Sequence, residues 1–365
     1  MATYDTVTVK IADFYAARAF LGKELATPVI RGYLFKQWLF LMDDIRDDFI
    51  LCIDHTKLRL KNLPNFIFIC GGIRNPVGAE KPASMRDALL LRISSHDSEL
   101  NERIKEAEEF QDWLEHSQVD NLIDFEVVLA DLASAVILIV EGLGAYTELG
   151  VFSIIDSISS KLITVVNTNT IIEKSFINLG VIKYLEDNQR TLLRYQWGIE
   201  YIPRGVYKNN VSLSLTDSLE AINTKADIIL DRLKHEIRSK TQSTSNFNPA
   251  IKGHVCLIIA DLIYVFSALK VGEIKKYLEI GFNIELSTKK IKEYLYTLEK
   301  LEFVFKRSSG DVYYLSTDSN EGFIRYRYND DKAKVSSFED VDDIKAKTIL
   351  FYRDTDISRT AAINS

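Results

Sequence analysis

The chain has 365 residues, 47% of them hydrophobic, and a formal net charge of −7. This length accommodates two domains and an appendage, with enough apolar side chains for an ordinary globular core. The acidic balance excludes a protein that coats nucleic acid along its whole length and confines any such contact to a local basic face.

Cys52, Cys70 and Cys256 are scattered, with no CxxC pair, and read as reduced thiols of a cytoplasmic protein. The five histidines form neither HExxH nor a Cys/His cluster, so no structural or catalytic metal is expected. Asp5 and Lys10 interrupt the first residues, and no signal peptide is expected. The longest apolar segment, "VCLIIADLIYVFSAL" (255–269), is too short for a membrane span and carries Asp261. The expectation is a soluble protein without membrane contact.

Residues 9–60 carry apolar residues at helical spacing, among them Leu34, Phe35, Trp38, Leu39 and Met42. They predict an N-terminal helical extension of two or three amphipathic helices over 1–60. "NFIFICGG" (65–72) is a continuous apolar run closed by two glycines, the pattern of a buried parallel strand and a tight turn. "RNPVGAEKPAS" (74–84) reads as a mobile loop. Helices follow over 85–93, 98–118 and 121–132, then the strand "SAVILIVE" (134–141), a short helix, the strand "KLITVVNT" (161–168) and the helix "SFINLGVIKYLEDN". Strands alternating with helices predict a parallel sheet with helical layers, here over about 61–205, and a trailing charged helix extends that unit to 240.

A polar linker, "SKTQSTSNFNP", separates a different pattern. Three helices, "GHVCLIIADLIYVFSAL", "VGEIKKYLEIGF" and "STKKIKEYLYTLEKLEF", precede the alternating "VFKRSSGDVYYL". Ser287 is an N-cap candidate for the third. Helix, helix, helix, hairpin predicts an α+β winged helix-turn-helix over 250–318. Residues 319–365 read as a polar tail without fold.

The chemistry concentrates where strands end. In open parallel sheets a ligand binds at the carboxyl ends of the strands. Gly71 and Gly72 follow one strand, Glu141 ends another, and Glu148 stands on the short helix after it. A carboxylate there can face the anomeric carbon of a nucleoside or nucleotide and stabilise, or attack, an oxocarbenium-like centre. The plain alternatives are a turn for the glycines and a helix-dipole partner for the glutamate.

"AYTELGVF" resembles the ELG signature of nucleoside deoxyribosyltransferase-like enzymes, whose catalytic glutamate corresponds to Glu148. Together "FIFICGG", "VILIVEGLGAYTELGVFS", "KLITVVN" and "KSFINLG" resemble one branch more closely: the deoxyribosyltransferase-like effectors of bacterial retrons. The resemblance covers about 65–187. It implies a Rossmann-like domain, Glu148 as catalytic carboxylate and Glu141 as a second acid. It also implies a substrate-binding set of Cys70, Gly71, Gly72, Arg86, Tyr146, Ser175 and Asn178. Ser175 is equally an N-cap, and Arg86 equally a solvated surface residue. Where the family tends to read Glu-Ser-Pro-Gly-Ser, this chain has Glu141-Gly142-Leu143-Gly144-Ala145. Gly142 also stands where base-exchanging relatives carry an aspartate.

No histidine lies near these motifs to protonate a leaving purine, unless burial raises the pKa of Glu141 enough for it to serve. Nicotinamide leaves NAD⁺ neutral and needs no proton, which favours NAD⁺ as substrate, with no cofactor. The resemblance implies a toxic anti-phage effector, partnered with a reverse transcriptase and its multicopy single-stranded DNA in a higher-order assembly. Lys289, Lys290 and Lys292 on the third helix, with Lys306 and Arg307 on the wing, are the candidate nucleic-acid or partner contacts. Glu285, Glu293, Glu299 and Glu302 leave the same region nearly neutral. Two other readings stay open: a non-catalytic nucleotide-sensing, DNA-binding module, and deoxyribosyl base exchange.

Overall fold

The structure is a computed structural model. It describes residues 44–75, 79–110, 121–171, 174–204, 210–240, 244–329 and 338–364. Most of the expected 1–60 extension lies outside these residues; within them α1 (Ile45–Cys52) is helical, capped by Asp44.

A five-stranded sheet organises the first half. Its strands are β1 (Ile67–Cys70), β2 (Ile104–Glu106), β3 (Ala135–Val140), β4 (Leu162–Asn167) and β5 (Thr191–Tyr195). They lie in the order β2-β1-β3-β4-β5, and all neighbours are parallel. Alternate residues of each central strand point to opposite faces. Ile67, Ile69, Ile137, Ile139, Ile163 and Val165 meet α2 (Met85–His96) and α5 (Leu219–Lys240). Phe68, Cys70, Val136, Leu138, Val140 and Val166 face the side of α3 (Leu122–Leu132) and α4 (Leu143–Ile154). With both faces covered, these strands are continuously apolar, and each buried aliphatic side chain stabilises by roughly 1.5–3 kcal/mol.

The same second core runs on into α6 (Lys252–Phe266), α7 (Val271–Phe282) and α8 (Thr288–Lys300). Ser287 caps α8, its hydroxyl accepting the Lys290 N–H at 3.1 Å. A three-stranded antiparallel sheet follows from β8 (Ala268–Leu269), β9 (Val304–Ser308) and β10 (Val312–Ser316), with β10 central; β6 (Ile199–Arg204) and β7 (Asn210–Leu215) form a separate antiparallel hairpin. The helices and hairpin of the second half stand in the order expected from the pattern.

Several expectations are corrected. The helix expected over 98–118 ends at Arg103, because Ile104-Lys105-Glu106 adds an edge strand beside β1. β5 and the β6–β7 hairpin occupy a stretch given no strand from sequence. The 74–84 loop is tied down where it is described: Asp87 accepts the N–H groups of Asn75 and Ala83, and Lys81 Nζ donates to the Leu215 carbonyl at 2.6 Å. In the expected linker, Ser245–Asn246 pairs with Arg59–Leu60.

The tail is folded. Ile324–Arg325 also pairs with Arg59–Leu60, and α9 (Val341–Thr355) and α10 (Ile357–Asn364) follow. Buried Asp261 holds the chain there by accepting from Phe323 and Ile324 N–H and from the Tyr326 hydroxyl. Arg46 and Arg359 both reach Glu273, each at 2.8 Å, which fastens α1 and α10 to α7. Among the described residues no helix is long and apolar enough to cross a membrane.

Candidate active site at the carboxyl edge of the sheet

β1 and β3 end side by side, so the glycine pair and Glu141 meet at the carboxyl edge of the sheet. Glu141 is fully buried. Its Oε2 accepts the Met85 N–H at 2.8 Å, and its Oε1 accepts the N–H groups of Arg86 (2.9 Å) and Gly72 (3.3 Å). These donors include the orphan amides at the start of α2, where a helix favours negative charge. Burial raises the Glu141 pKa, and those backbone N–H groups and the Ser84 hydroxyl oppose the rise. The expectation of an acid and a phosphate loop is therefore revised at this spot. The Gly72 N–H is taken by Glu141, and a Cβ on Gly72 would lie 2.6 Å from that of Ser84. Glycine is required here by close packing.

Glu148 is in the opposite condition. It lines a cavity of about 240 Å³ between α3 and α4, with Leu122, Ile123 and Glu126 on one wall and Thr147, Val151 and Phe152 on the other. Its Oε2 is buried and has no hydrogen-bond partner among the described residues. Burial and then the Glu126 carboxylate push its pKa up to about 8, against the pull of Arg86. Glu126 is itself pushed up to about 7 by burial and then by Glu108. The two carboxyls thus hold protons near neutrality, the condition in which one can act as acid and its neighbour as base. Cys70, also buried, has its thiol raised by burial and then by Glu148, which disfavours the nucleophilic thiolate, and it is not among the residues that line this cavity.

Arg86 is not a solvated surface residue. It is 3% exposed, and its Nη2 lies 2.8 Å from both Glu106 and Glu108. Its Nε is buried without a partner among the described residues. Tyr146, one turn into α4, shares a hydrogen bond with Thr170 at 2.8 Å, and the Tyr201 hydroxyl donates to the Glu141 carbonyl at 2.9 Å. Ser175 and Asn178 stand beyond β4: the Ser175 hydroxyl accepts the Asn178 N–H at 3.2 Å, the N-cap alternative. The segment expected as one helix begins there as a π-turn, Ile177–Ile182, before Lys183–Asp187.

The basic residues of the second half divide. Lys290 turns inward, 2.7 Å from Glu293 and 3.3 Å from Asp124 of α3. Arg307 donates to the Ala362 carbonyl of α10 at 2.7 Å. Lys289, Lys292 and Lys306 are exposed. The Lys290 contact has a simple cause: α8 packs on α3, with the Phe125 and Tyr296 rings 6.1 Å apart.

A family model described as STM3845 retron effector protein matches residues 82–306. The chain belongs to this retron effector family. Two Escherichia coli proteins are similar to it, the Retron Ec73 and Retron Ec86 putative ribosyltransferase/DNA-binding proteins. The first is 32% identical over 237 residues, covering 63% of the effector and 70% of that relative. The second is 29% identical over 134 residues, covering 36% of the effector and 41% of that relative. The matched span of the effector includes Glu126, Glu141, Glu148 and all of α6 to α8.

Sequence reasoning missed Glu126, Glu108 and Tyr201. Glu126 carried a signal, since it interrupts the apolar run of "DFEVVLADL" next to Phe125. Tyr201 carried none, because the hairpin that holds it was not foreseen.

Proposed function

We propose that this retron effector is an N-glycosidase, with a deoxyribosyltransferase-like Rossmann domain and a winged helix-turn-helix, and that it hydrolyses NAD⁺ at the nicotinamide–ribose bond. The observation that carries the reading is the buried, unpartnered Glu148 oxygen in a cavity at the carboxyl edge of a parallel sheet. A buried carboxyl oxygen without a partner is costly to keep unless the group is wanted during reaction. A substrate with a cationic ring favours the ionised form of Glu148, and the ionised form stabilises the positive sugar as the ring departs. Water then bonds to the anomeric carbon, nicotinamide leaves with the electron pair of the broken bond, and one proton is released. The relatives' names, putative ribosyltransferase/DNA-binding proteins, support glycosyl chemistry.

A second reading has its own observation. Glu126 supplies the proton donor that the sequence lacked, so a neutral nucleobase could also be expelled. In either reading the effector works in the cytoplasm under control of a reverse transcriptase and multicopy DNA, in a higher-order assembly, with Lys289, Lys292 and Lys306 toward the partner. The DNA-binding element in the relatives' names supports the partner class.

The test takes the active complex and follows products by chromatography, with NAD⁺ in one tube and deoxyuridine plus labelled adenine in another. The expected products are ADP-ribose and nicotinamide, with little labelled deoxyadenosine. Intact NAD⁺ beside abundant labelled deoxyadenosine would replace hydrolysis by base exchange.

A further inference from the structure

A larger cavity, about 370 Å³, lies at the opposite end of the sheet, where β3 and β4 begin. Its walls come from the turns before those strands, the end of α5 and the start of α6. None of its lining residues belongs to the site around Glu148.

Three side chains with hydrogen-bond donors line this space: Lys161, Lys240 and His254. Lys161 Nζ donates to the carbonyls of Asp131 (2.6 Å) and Ala133 (2.7 Å), compensating the end of α3, and one of its three protons is left. Lys240 Nζ donates to the Ser160 carbonyl at 3.0 Å, leaving two. His254 Nδ1 accepts the Asn248 N–H at 3.1 Å, so the proton of the neutral ring sits on Nε2 as a further donor. The one carboxylate among the described lining residues, Asp131, is already occupied by the Ser157 hydroxyl (2.7 Å) and the Gly253 N–H (3.3 Å).

We propose that this cavity binds the phosphate group of a phosphate monoester, with Lys161, Lys240 and His254 as its donors. The volume holds more than a bare ion and suits a phosphate with an attached sugar. Burial lowers Lys161 to about 8, lowers Lys240, and holds His254 down at about 4. Such a cluster has donors in excess of acceptors, and an entering anion supplies the missing partner. The monoester has two sources: a free nucleotide, or the 5′ end of a nucleic acid.

Calorimetry on the full chain tests the site, with AMP, a 5′-phosphorylated oligodeoxynucleotide and its 5′-hydroxyl counterpart as probes. Saturable binding is expected for at least one phosphorylated probe, and the tighter of the two identifies the source. Lys240→Met should weaken binding about tenfold or more, the loss of a charge-assisted hydrogen bond, while Lys240→Arg retains it. His254→Ala should also weaken it, and Glu148→Gln should leave it unchanged. The proposal is overturned if neither phosphorylated probe binds better than the 5′-hydroxyl strand. It is equally overturned if Lys240→Met and His254→Ala bind like wild type, or if binding responds to Glu148→Gln instead.

Discussion

Glu141 and Glu148 stand at the same edge of one sheet, and both are raised by burial, yet they are opposites. Both carboxyl oxygens of Glu141 are matched by backbone N–H groups from α2 and the glycine loop. Glu148 has a buried oxygen matched by nothing among the described residues, and its nearest charged company includes a second carboxyl, Glu126. A buried carboxyl whose oxygens are matched by backbone N–H groups holds a fold together, whereas a buried oxygen matched by nothing marks a candidate site. Glu141 is thus tied into the fold by its hydrogen bonds, and we propose Glu126 as the second acid beside Glu148.

The two glutamates should differ most in turnover, through Glu148. Glu148→Gln keeps the shape and removes the charge, and turnover of NAD⁺ should fall at least about a hundredfold, as for loss of one transition-state electrostatic contact. Nicotinamide release measures it. A folded variant that works at the wild-type rate would remove Glu148 from the chemistry.

Glu141→Gln should act on stability. The amide replaces an acceptor with a donor that faces backbone N–H groups, a cost of about 2–4 kcal/mol. A lowered urea midpoint is the expected result, and an unchanged midpoint would mean that the start of α2 does not depend on this carboxylate.

The pH dependence sharpens the same contrast. Folded Glu148 keeps its proton up to about 8, where an ordinary glutamate releases it near 4.5. Its contribution to stability is therefore complete below about 4.5 and is lost as pH rises through about 8. Thermal melts from about pH 5 to about pH 9 should show wild type declining across this window and Glu148→Gln declining less.

The smallest effect belongs to Lys290. Its bonds to Asp124 and Glu293 are partly exposed, so Lys290→Ala should cost no more than about 1 kcal/mol. It should also weaken partner assembly less than Lys289→Glu with Lys292→Glu, when both are compared by co-purification at low and high salt.

The central strands were legible because burial on both faces makes Ile67–Cys70, Ala135–Val140 and Leu162–Asn167 continuously apolar. The edge strands were not. Lys105 and the buried Glu106 break the apolar run of β2, and β5 is largely half-exposed, so neither reads as a continuous apolar strand. Glu148 could be placed from its position after a strand. Its pairing with Glu126 could not, because it depends on α3 and α4 lining one cavity. The folded tail was illegible for a similar reason: Arg46, Glu273 and Arg359 find each other only in three dimensions.

The most direct measurement is a titration of the Glu148 carboxyl by carbon-detected NMR, assigned as the signal lost in Glu148→Gln. The expected midpoint is near 8 in the free effector, moving down when NAD⁺ is added. A midpoint near the ordinary 4.5, unmoved by NAD⁺, would contradict an enclosed carboxylate poised for a cationic substrate.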